Sequence, residues 1–139
     1  MDSLDEYLAE LAINEPLNTG PVKVAAALIY RGRVLATGTN QYKTHPLMMT
    51  RGYREDQNWR HAEVDCILNG LKVMTKEQMT RCELRVVRVK RPHCNSKDWI
   101  FGLAKPCPGC SQVIRNFGIK QVTWTEDADV LVECEVAFC

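Results

Sequence analysis

The apolar residues of this chain fall into two rhythms. Leu4, Tyr7, Leu8, Leu11 and Ala12 recur at the spacing that lines one face of a helix. Ser3 and Glu6 are spaced as a capping box at its start, and Pro16 and Gly20 mark its end. A single apolar stripe of this kind covers a sheet. From Val22 to Tyr30 the rhythm changes to a crowded run of Val, Ala, Leu and Ile. A second short run, Val34 to Thr39, follows Arg31-Gly32. Two such runs about a glycine-containing turn predict a β-hairpin.

Polar residues then take over. Gln41 to Asn58 has little periodicity, contains Pro46 and Gly52, and reads as a loop long enough to suggest a functional or lid role. A helix is expected from about Asn58 or Trp59, with Val64, Ile67, Leu68 and Leu71 on one face and Gly70 weakening its end. Thr75 to Met79 reads as a further short turn of helix, and Cys82 to Lys90 as a strand rich in Leu and Val. Arg91 to Ile100 is a second loop, after which Phe101 to Ala104 continues or resumes the strand. Cys107 to Asn116 is expected to be a helix stopped by Gly118, and Ile119 to Trp124 a strand. A polar turn around Glu126 to Asp129 leads to a last strand, Val130 to Val136, with Val130, Val132, Cys134 and Val136 on alternate positions.

The order α-β-β-α-β-α-β-β predicts an α/β fold: a three-layer α/β/α arrangement around a five-stranded mixed sheet. The turn before the last strand is too short for a parallel crossover, so that strand is expected to run antiparallel to its predecessor. With 139 residues, one domain spanning residues 1–139 is the natural count. Hydrophobic and charged shares of 45% and 25% are ordinary for a globular chain. The acidic start, Met1-Asp2-Ser3-Leu4-Asp5-Glu6, lacks the pattern of a signal peptide, and no run approaches the roughly 18 apolar residues of a membrane span. Seven cysteines, an odd number, point to a reducing compartment, hence the cytoplasm, and to thiol or metal chemistry. A net charge of +1 gives no strong pull toward nucleic acid.

The candidate chemistry lies in two segments. One reads Arg60-His61-Ala62-Glu63-Val64 and the other Lys105-Pro106-Cys107-Pro108-Gly109-Cys110. A zinc ion takes four ligands of nitrogen, sulfur or oxygen type, or three when one position stays open for water. His61, Cys107 and Cys110 supply three, and Glu63 is left over as the carboxylate that hydrolytic zinc chemistry needs for proton movement. Two residues apart on a helix is about 200°, so His61 and Glu63 can converge only at a helix start, where side chains lean beyond the first turn. Cys107 and Cys110 are neighbours on one helix face. Alone, Cys-x-x-Cys is equally a structural zinc half-site or a redox pair, and His-x-Glu is weaker still. A wholly structural zinc domain, with Glu63 a solvated helix residue, is the bland reading of the pair.

Together, in this order, the segments resemble those of the cytidine deaminase-like superfamily of zinc-dependent deaminases. That resemblance implies a central five-stranded sheet flanked by helices, and zinc held by His61, Cys107 and Cys110. It further implies a zinc-bound hydroxide that attacks the amino-bearing carbon of a base, with Glu63 shuttling the protons. By the same resemblance Asn40, ending the second strand, bonds the sugar or base. The backbone N–H of Ala62 faces the base, with Pro106 and Cys107 on the opposite side. The 42 residues 64–105 exceed the family's common spacing, and the Arg91 to Ile100 loop can absorb the excess. An antiparallel last strand resembles the branch of the superfamily acting on free nucleosides.

The expected function is therefore hydrolytic deamination of a free nucleoside or nucleotide, cytidine-type favoured, by a homo-oligomer. The alternatives are a deaminase of single-stranded DNA or tRNA and a non-catalytic zinc-binding domain. His45 and Trp59 read more simply as a surface residue and a core residue than as substrate contacts. Cys66, Cys82, Cys94, Cys134 and Cys139 read as plain thiols, and His93 beside Cys94 is weak support for a second metal. Arg81, Arg85, Arg88, Lys90 and Arg91 form a basic run that reads first as a solvated strand edge. A phosphate or nucleic-acid contact is the sharper reading. Arg51, Arg54 and Arg60 could reach a substrate phosphate from the long loop.

Overall fold

The predicted hairpin is present. Strand β1 (Lys23–Tyr30) pairs antiparallel with β2 (Arg33–Thr39), placing Ala26 opposite Gly38. The turn holds Arg31 at φ 49° and Gly32 at φ 77°. Both are left-handed, as a two-residue turn matching the twist of its strands requires. The structure, a computed structural model, describes residues 3–18, 20, 22–41, 61–92 and 97–128. The expected loop from Gln41 to Asn58, apart from Gln41 itself, and the expected last strand from Val130 to Val136, with its antiparallel pairing, lie outside the described residues.

Strand β3 (Glu83–Lys90) pairs antiparallel with the other edge of β1, Ala26 facing Val86. The far edge of β3 is shared by two short strands. β4 (Ile100–Gly102) runs antiparallel beside Arg88 to Lys90, and β5 (Gln121–Trp124) runs parallel beside Glu83 to Val86. Buried Thr125 joins the pieces. Its N–H donates to the Val86 carbonyl at 3.1 Å and its hydroxyl to the Gly102 carbonyl at 2.8 Å, while its own carbonyl accepts from Ala104 N–H at 2.9 Å. The sheet is five-stranded and mixed, as expected. Its fourth strand, β4, is one that the sequence splits between a loop and a resumed strand. Three residues are too few to show an alternation.

Alternate side chains of β1 sort onto the two faces. Ala25, Ala27 and Ile29, with Val87, meet Leu8 and Ala12 of α1 (Ser3–Ile13). Ala26 and Leu28, with Leu84 and Val86, meet Val64 and Ile67 of α2 (Ala62–Gly70) and Val113 of α4 (Pro108–Asn116). This gives the three layers. Between them runs the short α3 (Lys76–Met79), capped reciprocally by Thr75 and Gln78. Ser3, read from sequence as a cap, is already inside α1. A bidentate ion pair fixes that helix: Asp5 accepts from Arg85 Nε at 3.0 Å and Nη2 at 2.8 Å. Among the described residues no helix is long and apolar enough to cross a membrane.

Helix α2 lies almost directly on β2. A Cβ added at Gly38 would sit 2.2 Å from Cys66 N and 2.6 Å from the Ala62 carbonyl oxygen, both backbone atoms. At Gly102 a Cβ would meet only flexible side-chain carbons of Arg88 and Lys90, at 3.3 Å. Gly38→Ala is therefore expected to destabilise the fold by at least about 2 kcal/mol, roughly 6 °C in Tm. Gly102→Ala should cost clearly less. Thermal unfolding followed by circular dichroism checks this, and equal shifts for the two variants would contradict the close approach.

Candidate active site

The two chemical segments stand at the starts of α2 and α4. His61 is the N-cap of α2, with φ −72° and ψ 150°, and Cys107 is the N-cap of α4, with φ −71° and ψ 167°. The extended backbone of His61 puts the first residue of α2 at Ala62, later than the start near Asn58 or Trp59 expected from sequence. The shift removes the geometric difficulty noted above: His61 stands ahead of the helix and Glu63 in its first turn. Pro108 opens α4, where its fixed φ and missing N–H are tolerated.

Three donor atoms gather between these ends. The His61 Nδ1 lies 3.2 Å from Cys110 Sγ and 3.7 Å from Cys107 Sγ. The three ligand atoms all lie within 4.8 Å of one another, and all three residues are buried. Tetrahedral zinc, with nitrogen at about 2.0–2.1 Å and sulfur at about 2.3 Å, implies N···S separations of roughly 3.6 Å. The observed pair of distances straddles that value. Two thiolates and a neutral imidazole match the charge and softness of Zn2+, and the positive ends of two helices favour the thiolates. Neither N-cap makes a side-chain capping bond; positions usually given to Ser, Thr or Asp carry candidate metal ligands instead.

Glu63 is 6% exposed. Burial pushes its carboxyl above the usual carboxylate range, against the pull of the His61 imidazole; the Cys107 sulfur pushes the same way as burial. Such a group holds and releases a proton closer to neutrality than a solvated glutamate. Asn40, 1% exposed, is fixed on three sides. Its Oδ1 accepts from Val24 N–H at 2.9 Å and from Asn18 Nδ2 at 2.8 Å, and its Nδ2 donates to the Val22 carbonyl at 3.2 Å. The amide oxygen is thus filled, and the second Nδ2 hydrogen is what Asn40 can offer. Ala62, at the first helical position, has an N–H with no intrahelical partner. One cavity is lined by Asn40, His61, Ala62, Glu63 and Cys107. Cys110 is wholly buried.

Arg88, which sequence reasoning placed in the basic run with a phosphate contact as its sharper reading, lines the same cavity. Lys105, which lines it too, and Asp65 were missed. Asp65, buried in the first turns of α2, accepts from Thr39 N–H at 3.0 Å and Gln41 Nε2 at 3.3 Å, tying the helix start to the end of β2. An acid early in a helix was the available signal, but it reads as ordinary dipole compensation. The basic run is not one patch. Arg81 pairs with Glu77 at 3.7 Å on the surface, Arg85 with Asp5, and Lys90 with Asp127 at 3.0 Å. Burial pushes the Cys66 thiol up, as befits a plain core thiol. His45, Arg51, Arg54, Trp59, Arg60, His93, Cys94, Cys134 and Cys139 lie outside the described residues.

Comparison with known proteins adds the family. Residues 2–126 match the model of the cytidine and deoxycytidylate deaminase zinc-binding region. No curated protein matches the sequence. Among solved structures, the apo dCMP deaminase of cyanophage S-TIM5 is similar at 22% identity with a TM-score of 0.54, over 93% of this chain and 88% of that one. The same phage's enzyme in complex with dCMP and dUMP is similar at 20% identity with a TM-score of 0.55, over 88% of this chain and 77% of that one. A diaminohydroxyphosphoribosylaminopyrimidine deaminase/5-amino-6-(5-phosphoribosylamino)uracil reductase from Thermotoga maritima is similar at 25% identity with a TM-score of 0.50. There 88% of this chain corresponds to 28% of that one. These likenesses concern the fold. The family match runs through every element from α1 to β5, and on it the chain belongs to the cytidine and deoxycytidylate deaminase family and is a zinc-dependent deaminase.

Proposed function

We propose that this chain hydrolyses the exocyclic amino group from the base of a free nucleoside or nucleotide, with cytosine the favoured base. The observation that carries this is the buried Glu63 beside the buried donor set of His61, Cys107 and Cys110, at a cavity that Glu63, His61 and Cys107 line. Those three residues would hold zinc, which when bound supplies a Lewis acid that makes water a nucleophile near neutral pH. The rest falls to the chain's own groups. Glu63 takes one proton from water and passes it to the ring nitrogen, then takes the second from the hydroxyl newly added to the base and delivers it to the departing amine as the carbon–nitrogen bond breaks. Its buried carboxyl, with its raised proton affinity, suits both halves of that cycle. The N–H of Ala62 and the remaining amide hydrogen of Asn40 orient the substrate.

The complex of a similar phage enzyme with dCMP and dUMP supports a nucleotide. That pair differs by replacement of an amino group with oxygen. The same reading takes residues 1–139 as one catalytic domain, working as a homo-oligomer in the cytoplasm, where cysteines stay reduced.

Two variants test these assignments. Glu63→Gln should keep zinc bound while ammonia release falls by at least about 10²-fold, measured on purified protein by metal analysis and by the mass gain of about one dalton in the product. Full activity in this variant would remove Glu63 from the mechanism. An inactive native protein that unfolds when zinc is stripped would favour the binding-domain alternative. Cys107→Ser should weaken zinc binding by more than the 10- to 100-fold typical of an outer partner, that is by at least about 10²-fold, in competition with a chromophoric chelator. Unchanged affinity would show that the sulfur is not a ligand.

A further inference from the structure

Strand alternation divides the cations of β3. Arg85 turns toward α1 and pairs with Asp5. Arg88 and Lys90 share the face of Leu84 and Val86, the side on which α2 and α4 pack. Lys90 is matched by Asp127, whose Oδ1 also accepts from Leu103 N–H at 2.8 Å. Arg88 lines the cavity of the candidate active site, and Lys105 lines it too. Nη1 of Arg88 donates to the Leu103 carbonyl at 3.3 Å. That bond draws the guanidinium onto the segment that runs through Lys105 to Cys107. Cationic residues from β3 and from the segment before α4 therefore line one cavity. Among its described lining residues Glu63 is the one acid.

A neutral base and its sugar give no reason for two cations in such a place. A phosphate does, because guanidinium matches its oxygens in a planar fork and an ammonium adds a point charge. We propose that Arg88 and Lys105 read the 5′-phosphate of the substrate and make this chain select a nucleoside monophosphate over the nucleoside. The proposal rests on the deamination proposed above and names the side chains behind substrate choice. A phosphodiester within a strand offers the same chemistry. The free nucleotide is favoured because a net charge of +1 lacks the field that holds a strand.

The test compares the zinc-loaded native protein with Arg88→Met and Lys105→Met, which remove charge but keep length. Turnover is measured on dCMP, deoxycytidine and a short single-stranded oligonucleotide, and binding is measured by calorimetry with dUMP and deoxyuridine. The native protein should favour each monophosphate over its nucleoside. Each variant should cut that ratio, in kcat/KM and in Kd, by about 10- to 100-fold, the worth of a charged hydrogen bond. A ratio unchanged in Lys105→Met, a substitution at an exposed side chain, overturns the proposal whether or not Arg88→Met folds. So does a native protein that binds dUMP no tighter than deoxyuridine, or one that acts on the oligonucleotide and not on dCMP. Tight dUMP binding with no ammonia from any substrate would instead sink the deamination reading and leave phosphate recognition standing.

Discussion

Two helices in this protein have to begin at one place. The His61 nitrogen and the sulfurs of Cys107 and Cys110 come from positions 46 and 49 residues apart, yet lie at 3.7 and 3.2 Å. No local propensity can produce that. It requires α2 and α4 to lie on the same face of the sheet with their N-termini converging, each cap position giving up its usual oxygen for a nitrogen or a sulfur. Convergence of helix starts has a second consequence. Their unpartnered N–H groups and dipoles face the same small volume, which therefore favours thiolate and any charge that develops there.

The sheet and its polar ties hold that convergence in place. Gly38 lets the α2 backbone settle onto β2, and Asp65 then fastens the helix start to Thr39 and Gln41. Behind the site, Asn18 bonds both Val22 and Asn40, and the Lys23 ammonium donates to the Asn18 carbonyl. A buried amide held by several partners keeps one orientation. What Asn40 presents to the cavity is thus decided by Asn18 and Val22, which do not line it, together with the backbone of Val24, which does. On the far side, Thr125 bridges Val86, Gly102 and Ala104 and so sets the path by which the chain reaches Lys105 and Cys107.

Much of this can be read from the residues alone, and the reasons differ by element. The hairpin, α1 and the strand through Val86 are long enough to show a period, so their kind was plain. The zinc set was plain because few other tasks call for His, Cys and Cys with a spare Glu in that order. The start of α2 was misjudged by about three residues because its cap is a histidine, which no capping rule flags. β4 was blurred because a three-residue strand carries no alternation. Asp65 and the Asn18–Asn40 pair were invisible for a different reason: polar side chains report a partner only once the fold supplies it. Arg88 was read as one of a run of cations, and only the strand's two faces separate it from Arg85 and Lys90.

The central claim is a zinc centre with three protein ligands and one position left to solvent or substrate. X-ray absorption at the zinc edge of the purified protein tests it most directly. The account predicts two sulfurs at about 2.3 Å and one imidazole nitrogen at about 2.0–2.1 Å, with a single further light atom that exchanges when a substrate analogue is added. A third sulfur, a second imidazole, or a fourth ligand indifferent to the analogue would contradict it.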